Sequence, residues 1–141
     1  MCVAWEEATA AARDAGIRTV QLRNGIVLSA GDGALAKMLP PFYLGIGGRI
    51  GDGRQYMSWI ALDDLLGVFL HVIRDERVEG AVNAVAPVAA SNAAFTKTLG
   101  KVLRRPTIAP LPAFAARAMF GEMADEMLLA GARVVPTRLL E

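Results

Sequence analysis

Two apolar periodicities alternate along this chain, and that alternation constrains its fold more than any other feature. Ile17-Arg18-Thr19-Val20-Gln21-Leu22-Arg23 carries β-branched residues and reads as a strand. Leu65, Leu66, Phe69, Val72 and Ile73 return at helical spacing and predict a helix over about 64–74. Ala81-Val82-Asn83-Ala84-Val85 reads as a strand again, closed by Pro87. Phe95, Leu99, Val102 and Leu103 then stand at i, i+4, i+7 and i+8, one apolar face of a helix capped by Ser91 or Asn92. Arg104-Arg105 place cations at its C-terminal end, and Pro106 terminates it. Strand, helix, strand, helix is the order of an α/β fold whose strands pair in parallel at least in part.

The remaining segments read less regularly. An Ala-rich helix is predicted over roughly 3–15, closed by Gly16. A second apolar run, Gly25-Ile26-Val27-Leu28, follows the first strand, then a turn at Gly31-Asp32-Gly33. Ala34 to Leu39 is a short helical stretch stopped by Pro40-Pro41. Residues 42–55 form a glycine-dense loop with a hairpin near Asp52-Gly53. Gln55 to Leu62 reads as a strand, with Asp63 as the N-cap of the helix that follows and Asp64 in its first turn. Thr107 to Pro110 is a short strand candidate, and Val134-Val135 another. Between them Pro112 opens a helical region in which Phe114, Met119, Phe120, Met123 and Met127 face inward, Glu122, Asp125 and Glu126 share a wetter face, and Gly131 closes the helix.

Composition removes several classes of function. At 141 residues, 54% hydrophobic and 21% charged, the chain has the makings of one small domain with a core. Fifteen basic and 14 acidic side chains give a net charge of +1, so no basic stripe addresses nucleic acid. Mean hydropathy is positive, yet a charge, Gly or Pro interrupts every apolar stretch, and no membrane span is expected. A single Cys (Cys2) and a single His (His71) leave no internal disulfide and no His-based metal cage. Met1 to Glu7 lacks a basic n-region before an apolar stretch, so the expected location is cytoplasmic.

The chemistry-bearing residues are few. Gly45, Gly47 and Gly51 give G-x-G-x-x-x-G, without the preceding strand and following helix that aim backbone N–H groups at a pyrophosphate. A flexible substrate-side loop is the better reading. His71 sits on an apolar helix and reads as a partly buried structural residue. A triad drawn from Ser29 or Ser58, His71 and Asp63 lacks a G-x-S-x-G elbow. Asp63 and Asp64 as an acid–base pair compete with helix capping, which explains both. Arg23-Asn24 stands out: it ends a predicted parallel strand, the edge at which open α/β sheets bind ligands. An Arg there can meet a phosphate bidentately, and an Asn can donate and accept. Arg54-Gln55, leaving the glycine loop, form a second polar pair facing a substrate.

The order of these segments resembles a known family. Trp5-Glu6, Gly16-Ile17-Arg18 and Leu22-Arg23-Asn24-Gly25-Ile26-Val27-Leu28 are similar to the sixth-strand region of extended short-chain dehydrogenases. Gly51-Asp52-Gly53-Arg54-Gln55, Ser58-Trp59-Ile60 and Asp63-Asp64-Leu65 resemble the W-I-H-x-D-D segment of the nucleotide-sugar epimerase-like branch. Ala61 stands where His is common and Met57 where many epimerases place Arg. Gly80-Ala81-Val82-Asn83, Phe95 and Arg105-Pro106 match the next strand–helix unit. Phe120-Gly121-Glu122-Met123-Ala124, Leu128-Leu129, Gly131, Arg133-Val134 and Pro136 look like the C-terminal domain of unknown function of the sugar-nucleotide epimerase-related subfamily.

The resemblance implies the last strands of a Rossmann-like parallel sheet plus a small α/β substrate-binding C-terminal domain. It divides the chain into 1–80 and 81–141, two parts expected to pack as one unit. The family's Gly-rich βα unit and Tyr-x-x-x-Lys pair are absent; Gly47 and Ile60 stand four residues after Tyr43 and Tyr56. The chain is therefore expected to be a C-terminal half lacking the dinucleotide-binding half. The intact protein would use NAD or NADP to epimerise or reduce a nucleotide-sugar or related small molecule. Arg23, Asn24 and Gly25 would lie at the cofactor, and Arg54 and Gln55 at the substrate, with no catalytic residue in this chain. The chain alone is expected to bind no dinucleotide, and its exposed strand edge predicts association with the missing half or a homo-oligomer. The rival reading is a non-catalytic ligand- or partner-binding α/β module.

Overall fold

The computed structural model describes residues 2–112, 114 and 131–140. Its first element is split where one helix is predicted over 3–15: α1 is Cys2–Glu7 and α2 is Ala10–Asp14. Thr9 interrupts it, its hydroxyl donating to the Glu6 carbonyl at 2.7 Å and accepting from Gln21 Nε2 at 2.6 Å. Such local side-chain bonds compete with the helical ladder.

Strand β1, Val20–Asn24, starts three residues later than predicted and pairs in parallel with β5, Gly80–Ala84, in the register Val20↔Gly80 to Asn24↔Ala84. β2, Ile26–Leu28, pairs in parallel with β4, Trp59–Ala61. Gly25 is where the chain changes partner. Its N–H bonds the Ala84 carbonyl, while the next N–H, of Ile26, bonds the Ser58 carbonyl. A Cβ on Gly25 would stand 2.6 Å from the Ser58 oxygen and 2.9 Å from Val85 Cγ1, so only glycine fits this crossing. The predicted continuous strand 55–62 is likewise two strands. β3, Tyr56–Met57, pairs antiparallel with β6, Ala90–Ser91, and Ser58 separates it from β4.

The helices depart from expectation at their ends. α3 runs Gly33–Tyr43, straight through Pro40 and Pro41, where a stop at Leu39 is predicted. The prolines remove two donors in the last turns, but their carbonyls accept from Leu44 and Ile46, and Phe42 anchors the end in the core. α4, Leu62–Arg74, follows β4 without a linker, so Ala61 occupies the N-cap position. Asp63 is therefore not the cap; with Asp64 it lies in the first turn, at the positive end of the helix. The Arg18 guanidinium bonds the Val72 and Val78 carbonyls and ties the end of α4 to the start of β1. α5, Asn92–Leu103, is capped by Ser91, the first of the two candidates, whose hydroxyl accepts from the Ala94 N–H. Its buried face centres on Asn92, Thr96 and Gly100, and Val102 is exposed, contrary to the predicted face.

No hairpin forms near Asp52-Gly53; Ile50 instead bridges in parallel to Leu111. Residues 107–110 and Val134-Val135 are not strands, and the Val134 N–H goes to the Ser58 hydroxyl rather than to a ladder. A short α6, Thr137–Leu140, ends the described chain. The helix predicted after Pro112, with Met119, Phe120, Met123, Met127, Glu122, Asp125 and Glu126, lies outside the described residues. The core is centred on Ile60, Leu65 and Ala84, with Leu22, Val27 and Val68 packed against them. β1 and β5 join the two predicted parts, 1–80 and 81–141, in one sheet. No helix among the described residues is long and apolar enough to cross a membrane.

Candidate functional site

Arg23 and Asn24 are the last two residues of β1, at the carboxyl end of a parallel pair. Gly25, directly beyond, is the point at which the sheet divides between β5 and β4. Open α/β sheets receive ligands outside the carboxyl ends of their strands. The structure thus brings Arg23, Asn24 and Gly25 to one sheet edge. Their opposite numbers in the β5 register are Asn83 and Ala84.

Arg23 is already engaged there. Its Nε and Nη2 donate to the two carboxylate oxygens of Glu6 on α1, both at 2.7 Å. The pair is exposed, at 56% for Arg23 and 32% for Glu6, so it orients the guanidinium more than it stabilises the fold. Glu6 sits one turn after Cys2 in α1, a partner that strand patterning does not reveal. Asn24 is exposed at the strand end.

The Arg23 hydrogen bonds hold the Glu6 carboxyl below its ordinary value, assisted by the guanidinium charge. A depressed folded pKa contributes stability that is present above the unfolded carboxylate pKa and lost as pH falls through the folded one. The α1–β1 tie should therefore open only in acid, below the ordinary carboxylate range. An NMR titration of the Arg23 Nε–H should show a protected proton at neutral pH that is lost on acidification. Glu6→Gln should lose that protection at neutral pH, and an unchanged Arg23 signal in this variant would refute the tie.

Arg54 and Gln55 leave the glycine loop side by side but do different things. The Arg54 backbone N–H bonds Asp52 Oδ1, and the Arg54 residue is exposed. Gln55 is half-buried; its side chain donates to the Ile50 carbonyl, and its carbonyl accepts from the Asn92 N–H. Asn92 Oδ1 in turn accepts from the Ile50 N–H. The loop is therefore pinned to the start of α5.

Ser58, a triad candidate in the sequence, has a role that sequence reasoning missed. Its hydroxyl donates to the Ala132 carbonyl at 2.6 Å and accepts from the Val134 N–H at 3.0 Å. Arg133 stands 5.4 Å from the centre of the Tyr56 ring, and Asn83 Nδ2 donates to the Val135 carbonyl. Residues 131–135 are thereby strapped across β3, β4 and β5. Ser58 is committed to this strap, not to His71. His71 is exposed on α4, where a partly buried residue is predicted, because the core face of α4 is Leu65, Val68 and Val72. His71 and Asp63 instead line an open groove with Leu139. Among the described residues no group of His, Cys, Asp and Glu is placed to hold a metal. The glycine-dense segment is not arranged as a phosphate cradle: Gly47 packs on the Phe42 ring and Gly48 on the Ala109 carbonyl.

Residues 111–141 match a family described as a domain of unknown function, DUF1731. Over 139 residues the chain is 46% identical to an epimerase family protein of Mycobacterium bovis, covering 99% of this chain and 46% of that protein. It is 44% identical over 136 residues to the human epimerase family protein SDR39U1, covering 96% of this chain and 46% of that one. The chain spans about half the length of these curated relatives. Among solved structures, human SDR39U1 with NADPH matches with a TM-score of 0.83 at 44% identity, over 88% of this chain and 42% of that chain. A nucleoside-diphosphate sugar epimerase from Corynebacterium glutamicum matches at 0.64 and 38% identity, over 84% of this chain and 26% of that one. The UDP-glucose 4-epimerase of Thermus thermophilus with NAD, at 0.64 but 14% identity, shares the fold.

Proposed function

From the premise that the chain belongs to the SDR39U1-like epimerase family and matches the C-terminal part of its members, we propose that it is the substrate-side portion of an NAD(P)-dependent epimerase or reductase. The substrate class is a nucleotide-sugar or a related small molecule. The observation that carries this reading is the position of Arg23 and Asn24 at the carboxyl end of parallel β1, where the sheet divides at Gly25. NADPH is bound by the human relative and NAD by the Thermus enzyme.

These residues fit one edge of such a site. The exposed Asn24 amide offers a donor and an acceptor to a nicotinamide carboxamide or a substrate hydroxyl. Arg23, held by Glu6, offers its remaining N–H groups from a fixed position. The pyrophosphate has no cradle in this sequence, so it falls to the rest of the complete protein. The nicotinamide supplies the hydride chemistry when bound. The chain's own residues orient and bind: Arg54 at the mouth of the loop, and Gln55 as the residue that fixes the loop against α5.

The test is a titration of NADPH into the complete protein and into the 141-residue chain. The complete protein should bind, and the chain alone should not. Asn24→Ala in the complete protein removes a hydrogen bond to a neutral carboxamide or hydroxyl, worth roughly 0.5–1.5 kcal/mol, about a twofold to tenfold loss of affinity or kcat/KM. Arg23→Ala should lower either the same quantities or only the melting temperature, and so separates a ligand contact from an α1 tether. If both variants keep wild-type affinity and turnover, the site assignment fails.

A further inference from the structure

The glycine-dense loop reads from the sequence as flexible, yet its far end is built onto the start of α5. The first N–H groups of a helix have no partner within it. In α5 the Asn92 N–H bonds the Gln55 carbonyl at 2.8 Å, the Ala93 N–H bonds the Gly53 carbonyl at 2.9 Å, and the Ala94 N–H bonds the Ser91 hydroxyl. Arg54 is therefore bracketed: the carbonyls before and after it dock on two successive N–H groups of one helix. The Asn92 side chain completes the dock. It belongs to a residue only 3% exposed, its Oδ1 accepts from the Ile50 N–H at 2.8 Å, and its Nδ2 lies 3.8 Å from the Met57 sulfur. One buried residue thus ties together the loop at Ile50, the strand at Met57 and the helix that holds Gly53 and Gln55. Gly53 suits its place: its φ is +72°, and a Cβ there would stand 3.0 Å from Ala93 Cβ and 3.3 Å from the Ala93 nitrogen. The dock is made by backbone and Asn92 alone, and the Arg54 guanidinium makes no ion pair among the described residues.

We propose that Asn92 is a positioning residue for Arg54: by holding the loop on α5 it presents the guanidinium to the diphosphate of the substrate and sets the affinity for that group. This rests on the reading of Arg54 as a substrate residue given above. A planar guanidinium forks two N–H bonds onto a phosphate, and that fit depends on direction as well as charge. On a mobile loop, binding would have to order backbone and side chain together. With the backbone already fixed at Gly53 and Gln55, only the Arg54 side-chain torsions remain to be ordered. The part of Asn92 that matters is its acceptor, because the Ile50 N–H is bonded to it. Aspartate keeps an acceptor at this place, and leucine, of similar size, removes it. None of these bonds involves Arg23, Asn24 or Gly25, the residues read as facing the cofactor.

Calorimetric titration of uridine diphosphate (UDP) into the complete protein saturated with NADPH tests this. The wild type should bind. Arg54→Ala should weaken UDP binding about tenfold to a hundredfold, the loss of a charge-assisted pair. Asn92→Leu should weaken it about fivefold or more, and Asn92→Asp should stay within about twofold of wild type. Gly53→Ala, which loosens the dock from the loop side, should match Asn92→Leu and stands in for it if that variant melts too low to titrate. All these variants should keep the wild-type NADPH affinity; a parallel fall in it overturns the proposal, because it reports loss of the fold. The decisive comparison is the double variant of Arg54→Ala with Asn92→Leu. Residues that act through one another are not additive, so it should bind UDP no more weakly than Arg54→Ala alone. If the wild type binds no UDP, or Arg54→Ala binds it as the wild type does, the reading of Arg54 as a substrate residue fails and the proposal with it. If Arg54→Ala is weak while Asn92→Leu and Gly53→Ala bind as the wild type does, that reading stands and the positioning role is overturned. Full additivity in the double variant also overturns it, because Asn92 would then act on the site by another route.

Discussion

Gly48→Ala should destabilise the fold by about 3 kcal/mol or more, the upper end of what overpacking costs. An ideal Cβ at Gly48 would stand 1.8 Å from the Ala109 carbonyl oxygen, 2.5 Å from its carbon and 3.2 Å from the Pro110 nitrogen. All three atoms are backbone, so no side chain can swing aside. The segment that would have to move is held on both sides. The Leu111 N–H bonds the Arg49 carbonyl, and the Gly51 N–H bonds the Leu111 carbonyl, both at 2.9 Å. Displacing residues 109–111 breaks this pair of bonds and the Ile50↔Leu111 bridge. Gly31→Ala is the matched control, since a Cβ there meets nothing within 4 Å. Thermal melts of the two variants should differ widely. A Gly48→Ala protein melting within about 3 °C of wild type would show that the loop and the 109–111 segment are not packed this closely.

The same glycines show where sequence reading stops. Their density is plain in the sequence and reads as a flexible loop. At Gly48 the reason is a contact with Ala109, some sixty positions later, and no local pattern carries that. Pro40-Pro41 is a similar case. The pair signals a helix stop, but burial of Phe42 against Gly47 draws the helix past it. The break at Ser58 was hidden for the same reason, because β3 and β4 change partner between β6 and β2. What was legible was local or periodic: the existence and order of β1, β5, α4 and α5 follow from spacing, while the buried face of α5 and the cap of α4 do not. Of the candidate site, the location of Arg23 and Asn24 at the end of a parallel strand was legible. The Glu6 partner of Arg23 was not, nor was the strap that Ser58 holds, because both depend on tertiary packing.

Ile60→Ala should cost roughly 2–5 kcal/mol, the range for emptying a buried isoleucine site. Ile60 is 2% exposed and sits where β4, α4 and β5 meet. It is the middle residue of β4, opposite Val27 of β2 in the parallel register. It packs with Leu65 from α4 and Ala84 from β5, and Leu22 of β1 closes the cluster. Each of those neighbours is rooted in a different element, so the cavity left by truncation has no single side chain able to collapse into it. Fully buried apolar side chains are few among the described residues, and stability margins of domains are only about 5–15 kcal/mol. One such loss is therefore a large fraction of the whole. Ile73→Ala removes the same atoms from a residue 67% exposed on α4, where little apolar contact is forfeited. In urea unfolding at low protein concentration, Ile60→Ala should lower the midpoint strongly with an unchanged slope, while Ile73→Ala should stay close to wild type. Equal losses for the two variants at low concentration would mean that the core does not lie between β4, α4 and β5.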